Sequence, residues 1–125
     1  MMEKTDLMIG DYVQVLPNVK LQCQHLWYNK VTSLGPYTLD TNDFIELKYD
    51  EINPIPMSEK ILELNGYHVV TIAKRKFWVN DELMFEVFGN LICVNTPLGK
   101  VVIPYIHLFQ HLLSAYGLDT NIKVE

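Results

Sequence analysis

The sequence has little of what metal centres, disulfide scaffolds and membrane spans require. Its 125 residues include two cysteines, Cys23 and Cys93, which are far apart and form no CxxC pair. This excludes a disulfide framework and a cysteine-rich zinc site, and it indicates a reducing compartment. No apolar run approaches the roughly 18 residues that identify a membrane-spanning helix. The opening MMEKTDLMIG has no apolar stretch of signal-peptide length, so we expect a cytoplasmic protein without membrane contact.

Motifs for common enzyme chemistry are also missing. The six glycines are scattered singly, so there is no glycine-rich loop to hold a phosphate. None of the serines lies in a GxSxG context. The paired carboxylates lie in or beside predicted turns, where Asp commonly bonds its own backbone. We therefore expect no catalytic residue, no cofactor and no enzymatic activity.

Basic residues are scarce, and only one segment concentrates them. Lys and Arg total 10 against 15 Asp and Glu, which gives a net charge of -5 at pH 7. Broad binding to nucleic-acid backbones depends on clustered cations, so this balance disfavours it. The exception is the segment TIAKRKFWVN, where cations precede aromatic rings in the combination that binds single-stranded nucleic acid. The candidate binding residues here and in the earlier aromatic segment are Lys74, Arg75, Lys76, Trp78 and Trp27. The alternative is a hairpin tip at residues 74–76 with solvated cations and buried aromatics.

Two regions of β-strand pattern are joined by a stiff connector. Short runs of β-forming residues separated by turns predict an SH3-like or curled antiparallel β lobe over residues 1–53. Pro54 and Pro56 fix the backbone of the connector. The β pattern returns over residues 67–103 and predicts an antiparallel meander.

Two short helices complete the predicted α+β fold. Ser58 can cap a helix over residues 58–65, and Gly66 can end it with Tyr67 folding back on Leu62. Pro104 suits the first turn of a helix over residues 104–116, which ends in the same way. We therefore predict a second lobe over residues 54–125 that forms one compact unit with the first.

His107 and His111 lie four residues apart on the closing helix, so they share a face. A metal site there would need further ligands, for which Cys23 and His25 are the available candidates. The sequence has no Glu at the second position of an HExxH motif. A helical wheel places both imidazoles opposite the apolar stripe, so we predict a solvated or partner-facing polar face without metal.

Three stretches resemble a family of small uncharacterised bacterial proteins that are often encoded in prophages or other mobile elements. They are LMIGDYVQV, INPIPMSEKILELNGY and IPYIHLFQHLLSAYGLD, which follow the family motifs IGDxV, PIPL…ILxxNGF and YxHxLQxxLxxxGI. Met57 and Tyr67 replace the usual Leu and Phe of the second motif, and Phe109 replaces a Leu of the third. The resemblance implies a common fold and genetic context without a reaction, and it implies a structural or partner contact for His107.

The aromatic residues are numerous for a single small core. Most should be buried, and the remainder can form an exposed binding patch or an oligomer interface. We therefore predict a non-catalytic binding or assembly module whose partner is a protein, including a second copy of the chain. The alternative is a nucleic-acid-associated accessory protein that uses the basic loop at residues 74–76 and its neighbouring aromatics.

Overall fold

A computed structural model describes residues 6–16, 28–97 and 99–124. Within these residues the chain forms two five-stranded antiparallel sheets and two α-helices, which confirms the predicted α+β class. The chain divides into two compact units. The first unit contains residues 1–55 and 105–121, and the second contains residues 56–104 and 122–125.

The sheet of the first unit is a meander whose last strand returns to its first. Its strands are β1 Tyr12–Val15, β2 Tyr28–Leu34, β3 Thr38–Thr41, β4 Leu47–Lys48 and β5 Ile52–Asn53, in the spatial order β4-β3-β2-β1-β5. A 3-10 turn at Tyr49–Glu51 connects β4 to β5, where Ile52 pairs with Val15. Thus both sides of β1 are paired within the unit.

Alternating residues of these strands, together with Leu7 and Phe44 from outside them, form the core of the first unit. The buried cluster contains Leu7, Val13, Val15, Val31, Leu39, Phe44, Leu47 and Ile52. The period of two is clear in β1, where Val13 and Val15 are buried while Tyr12 and Gln14 are half-buried. Thr41 adds a polar contact, because its hydroxyl donates to Asn29 Oδ1 at 3.1 Å within this buried region.

The sheet of the second unit follows the order of the chain. Its strands are β6 His68–Ile72, β7 Arg75–Val79, β8 Met84–Phe88, β9 Leu91–Thr96 and β10 Gly99–Val102. The spatial order β10-β9-β8-β7-β6 confirms the predicted meander. Each strand therefore pairs with its neighbours in sequence, and β6 and β10 are the edges of this sheet.

Helix α1 spans Glu59–Leu64 in the second unit. Ser58 has the extended backbone of an N-cap, although its side chain caps no backbone N–H of the described helix. Gly66 takes a left-handed conformation, with a φ of 87°. The Tyr67 N–H then donates to the Leu62 carbonyl at 3.1 Å. This is the predicted helix ending, in which glycine permits the reversal.

Helix α2 spans Ile106–Ala115, so it begins two residues after Pro104. It ends as predicted, with the Leu118 N–H donating to the Leu113 carbonyl at 2.8 Å beyond Gly117. Our prediction placed this helix in a continuous lobe over residues 54–125. The contacts of α2 group it with the first unit, where the Gln110 side chain bonds the backbone of Gly10 and Tyr12. No helix within the described ranges is long and apolar enough to cross a membrane.

Candidate binding face

The predicted basic loop is divided between a turn and a strand. We predicted a turn at residues 74–76, but the two turn residues are Ala73 and Lys74, and β7 begins at Arg75. Ala73 has a φ of 51° and Lys74 a φ of 64°. Two successive positive φ angles define a type I′ turn, which fits the twist of a tight hairpin. Because side chains alternate along β7, Arg75 and Lys76 project from opposite faces of the sheet.

Two of the three cations in this segment are ion-paired on their separate faces. Lys76 Nζ lies 2.6 Å from Glu59 Oε1 on the helix side of the sheet. Arg75 binds Glu86 on the opposite side. Lys74 has no ion-pair partner within the described part of the chain. The segment therefore does not concentrate three free cations on one surface.

Of the two aromatic candidates, Trp78 is buried, and the other is not among the described residues. Trp78 is 7% exposed, and its Nε1–H donates to Glu59 Oε1 at 2.7 Å. Hydrogen bonds from Lys76 and then Trp78 lower the pKa of Glu59. Trp27 lies outside the described residues. Trp78 therefore serves the packing between β7 and α1.

A three-residue ion cluster occupies the centre of the other face. The Arg75 guanidinium donates from Nε to Glu86 Oε2 at 2.7 Å and from Nη2 to Oε1 at 2.6 Å. Lys100 Nζ donates to the same Oε1 at 3.0 Å. Such a bidentate arginine contact is among the stronger charge-assisted hydrogen bonds. The Glu86 side chain is buried, whereas those of Arg75 and Lys100 are 53% and 44% exposed.

The two cations keep Glu86 ionised. Hydrogen bonding from Arg75 is the largest cause, and with Lys100 it lowers the pKa of Glu86 to about 2 against the opposing effect of burial. The same contact raises the pKa of Arg75. The cluster therefore carries two positive charges and one negative charge at neutral pH, and it presents one unbalanced positive charge to solvent.

Exposed apolar side chains surround this cluster. Residues directly opposite each other in neighbouring strands point to the same face, and Phe77, Glu86 and Cys93 are joined in this way across the three central strands. Following the same alternation, the exposed apolar residues of this face are Val70, Ile72, Met84, Phe88, Leu91 and Val102, with 37–59% of each exposed. We call this side of the second sheet the open face.

The aromatic rings of the open face lie under its cations. Arg75 Cζ is 5.3 Å from the centroid of the Phe77 ring, and Lys100 Nζ is 4.4 Å from that of Phe88. These are cation–π distances. They hold the charged groups above the sheet centre, where Phe77 and Cys93 are buried. A free, buried cysteine such as Cys93 packs as a small hydrophobic residue.

The opposite side of the sheet is a conventional core layer. Trp78, Phe85 and Val94 form one row across the central strands of this side, and each is buried. Tyr67, which follows α1, packs edge-on against Phe85 with ring centroids 5.4 Å apart. Both faces bury the row across their central strands. On the side of α1, the exposed apolar residues Val69 and Val101 lie on the two edge strands, with 50% and 44% of each exposed. On the open face, exposed apolar residues lie on the central strands as well, at Met84, Phe88 and Leu91.

We compared the chain with protein-family models, curated proteins and solved structures. None of them matches it. Assignment of a function therefore depends on the geometry of the sites themselves.

We predicted a solvated or partner-facing polar face for the histidine pair, but His107 is buried and His111 is only partly exposed. His107 is 4% exposed, and His111 Nε2 lies 2.7 Å from Oδ2 of the buried Asp11. Gln110, on the same side, accepts from the Tyr12 N–H and donates to the Gly10 carbonyl, both at 2.8 Å. The wheel failed because it ranks polarity alone, whereas this polar face satisfies backbone groups before and at the start of β1.

The surroundings of His107 favour a neutral imidazole. Its ring stacks on Tyr105 with centroids 5.8 Å apart and meets the His111 ring edge-on at 5.6 Å. Its Nδ1 is buried, and no described residue forms a hydrogen bond with it. Burial is the main cause that lowers the pKa of His107, although Asp11 opposes it. In the described part of the chain no three His, Cys, Asp or Glu residues converge to hold a metal, and Cys23 and His25 lie outside that part.

Sequence reasoning found Arg75 but missed Glu86 and Lys100. Glu86 lies 11 positions after Arg75 and 14 positions before Lys100 along the chain, so no local motif joins the three residues. A signal was nevertheless available in the meander. Once β7 and β8 are paired in register, Glu86 falls opposite Phe77 on an otherwise apolar strand face, and a carboxylate in that position requires a cation beside it.

Proposed function

We propose that the protein is a non-catalytic binding or assembly module whose binding surface is the open face of the second sheet. The observation that carries this proposal is the ring of exposed apolar side chains around the Arg75–Glu86–Lys100 cluster. Isolated exposed hydrophobic residues are ordinary, but a contiguous set on one sheet face marks an interaction surface. Antiparallel sheets with one solvated face normally carry polar side chains there.

The first unit is part of the same proposal. We propose an SH3-like lobe, which the returning β5 strand and the 3-10 turn before it support. We also propose, from the sequence motifs, that the protein belongs to the family of small bacterial proteins encoded in mobile elements. In that context a module of this kind would contact a component of the element or its host.

A matched pair of isoleucine variants tests the binding surface. Ile72→Lys places a charge in the open face, whereas Ile45→Lys changes an exposed isoleucine of the first unit. Circular dichroism of the purified variants should show that both remain folded. Each variant and the wild-type chain are then used as affinity baits in extracts of the native cell. We expect Ile72→Lys to lose partners that wild type and Ile45→Lys retain. Identical partner profiles for all three chains would contradict the proposal.

Self-association is tested separately in purified protein. Light scattering over a range of concentrations should reveal any dimer, and the same two variants show whether the open face forms it. If the protein is a monomer at every concentration, the partner of the open face is a different protein and not a second copy of this chain.

Nucleic-acid binding is the second candidate, and one observation favours it. Phe88 is 43% exposed on the open face, with the Lys100 ammonium beside its ring, and exposed rings near cations can stack on bases. Against this, Glu86 neutralises part of the local charge. The hypothesis expects a salt-sensitive shift with single-stranded oligonucleotides that Lys74→Glu plus Arg75→Glu abolishes. No shift at low salt would reject it.

A further inference from the structure

The two edges of the second sheet are protected to different degrees. The β10 edge has four residues, includes Lys100, and lies between Pro97 and Pro104. The β6 edge has five residues, HVVTI, all of them exposed and none of them Lys, Arg, Pro or Gly. Charged residues, prolines and short length are the usual means of preventing an edge strand from pairing with another chain. The β6 edge has none of the sequence devices that protect β10.

The turn before β7 determines which backbone groups β6 presents outward. In a type I′ turn the first residue's carbonyl accepts from the fourth residue's N–H, so Ile72 and Arg75 form a hydrogen-bonded pair. Hydrogen-bonded and non-bonded pairs alternate along antiparallel strands. The N–H and C=O groups of Val69 and Thr71 therefore point away from β7, towards the side of β6 on which no described strand lies.

The β6 edge is continuous with the open face. Val70 and Ile72 project onto that face, where they lie opposite Phe77 and Arg75. A strand added to β6 would place every second side chain on the same face, beside these residues. Backbone pairing and apolar contact would then act together on one extended segment.

The charges of the open face select an acidic segment. Arg75 uses Nε and Nη2 on Glu86, and no other described residue accepts from its Nη1, so those donors remain for another acceptor. Lys100 adds a second exposed cation. Two copies packed open face to open face would bring these clusters, each with an excess positive charge, against one another. Like charges across an interface disfavour association, so charge complementarity favours a partner that supplies a carboxylate.

Building on the proposed function, we propose that β6 and the open face bind an extended acidic and aliphatic segment of a partner protein. The segment adds as a sixth strand beside β6, its aliphatic side chains cover Val70 and Ile72, and a carboxylate pairs with Arg75.

A displayed library of random dodecapeptides, selected against the full-length chain, tests this inference without assuming a sequence. We expect enrichment of peptides that alternate β-branched or aliphatic residues with other positions and carry Asp or Glu. A synthetic copy of an enriched peptide, and a second copy with each acidic residue replaced by Lys, then provide the probes. The acidic peptide should bind more weakly as salt increases, and the Lys version should lose binding.

Two variants at one position separate strand addition from other modes of docking. Thr71→Pro removes an outward N–H without removing a bond to β7, and proline is tolerated on sheet edges in such positions. Thr71→Val keeps the N–H and is the matched control. We expect Thr71→Pro to weaken peptide binding roughly tenfold, because a backbone hydrogen bond and its geometry are lost, and Thr71→Val to bind like wild type. If Thr71→Pro does not fold, slowed hydrogen exchange at the Val69 and Thr71 amides of the wild-type chain on peptide addition replaces it.

The outcomes distinguish this inference from the proposed function. Peptides that bind Thr71→Pro as well as wild type, but not Ile72→Lys, would overturn strand addition and leave the open face as a binding surface. Binding that ignores all of these variants would overturn both. An absence of enriched peptides, or enrichment of basic or neutral ones, would overturn the acidic and aliphatic partner.

Discussion

The two sheets of this protein have the same number of strands but use their faces differently. In the first unit, the apolar residues of each short strand are directed into a single buried cluster, and β5 closes back onto β1. In the second unit, the strands follow one another without a returning strand, and one face retains exposed apolar residues. Both sheets have two edge strands, but β4 and β5 of the first sheet are two residues long, whereas β6 and β10 of the second sheet have five and four residues. Because very short edge strands resist pairing with another chain, the second sheet offers longer edges as well as an exposed apolar face for other contacts.

The two units also differ in how their buried titratable side chains are satisfied. Glu86 in the second unit has two cationic partners. His107 in the first unit has a buried Nδ1 that has no hydrogen-bond partner among the residues the structure describes. Burying a polar group is costly unless a partner satisfies it. The first unit is therefore expected to respond to mild acid and the second to resist it.

The largest expected effect comes from one substitution made in both sheets. Leu39 in β3 is 1% exposed and Leu91 in β9 is 51% exposed. Leu39→Ala should lower the free energy of unfolding by about 2–5 kcal/mol, because it leaves a cavity. Leu91→Ala should change it by less than about 0.5 kcal/mol. Urea unfolding measures both, and equal losses would show that the open face is packed in solution.

The next effect concerns the polar attachment of α2 in the first unit. Gln110 is 2% exposed and bonds the Tyr12 N–H and the Gly10 carbonyl. Its Nε2 also donates to the Thr120 carbonyl at 3.2 Å. Gln110→Leu keeps the size but removes all three bonds, so it should lower the free energy of unfolding by about 2 kcal/mol. Ser114→Ala, an exposed change on the same helix, is the control. A Gln110→Leu chain as stable as wild type would show that water satisfies these backbone groups equally well.

These residues also show where sequence reasoning succeeds. The strands of the meander and both helix endings were predictable, since their signals are local: a period of two and a glycine at the reversal. The buried placement of Gln110 was not, because it depends on backbone groups about 100 positions away in the chain. For the candidate site, we predicted the turn at residues 74–76, whereas the turn residues are Ala73 and Lys74. This matters because a shift of one residue in a strand moves each side chain to the other face of the sheet. Arg75 and Lys76 consequently belong to two surfaces.

A smaller effect is expected at the hairpin turn of the second unit. Ala73 and Lys74 both adopt left-handed backbone angles, which disfavour residues other than Gly, Asn and Asp. Ala73→Asn with Lys74→Gly supplies the preferred type I′ pair and should raise the free energy of unfolding by about 1 kcal/mol. Thermal unfolding measures the change. If the double variant is less stable than wild type, these two residues make a contact that outweighs their strain.

The last expected effect is a pH dependence that belongs to the first unit. Burial lowers the pKa of His107 below 6.5, with His111 adding to the shift and Asp11 and Asp6 opposing it. Below pH 6.5 the unfolded chain therefore binds more protons at this position than the folded chain, and the free energy of unfolding falls as the pH falls. Glu86 has a pKa of about 2, so its contribution to the free energy of unfolding is lost only as the pH falls from 4.5 through about 2. As the pH decreases, hydrogen exchange should show that the amides of α2 lose protection before those of β7 and β8. His107→Gln should reduce this early opening, whereas His68→Gln, at an exposed position, should not. Equal slopes of stability against pH for wild type and His107→Gln would assign the acid response to another group.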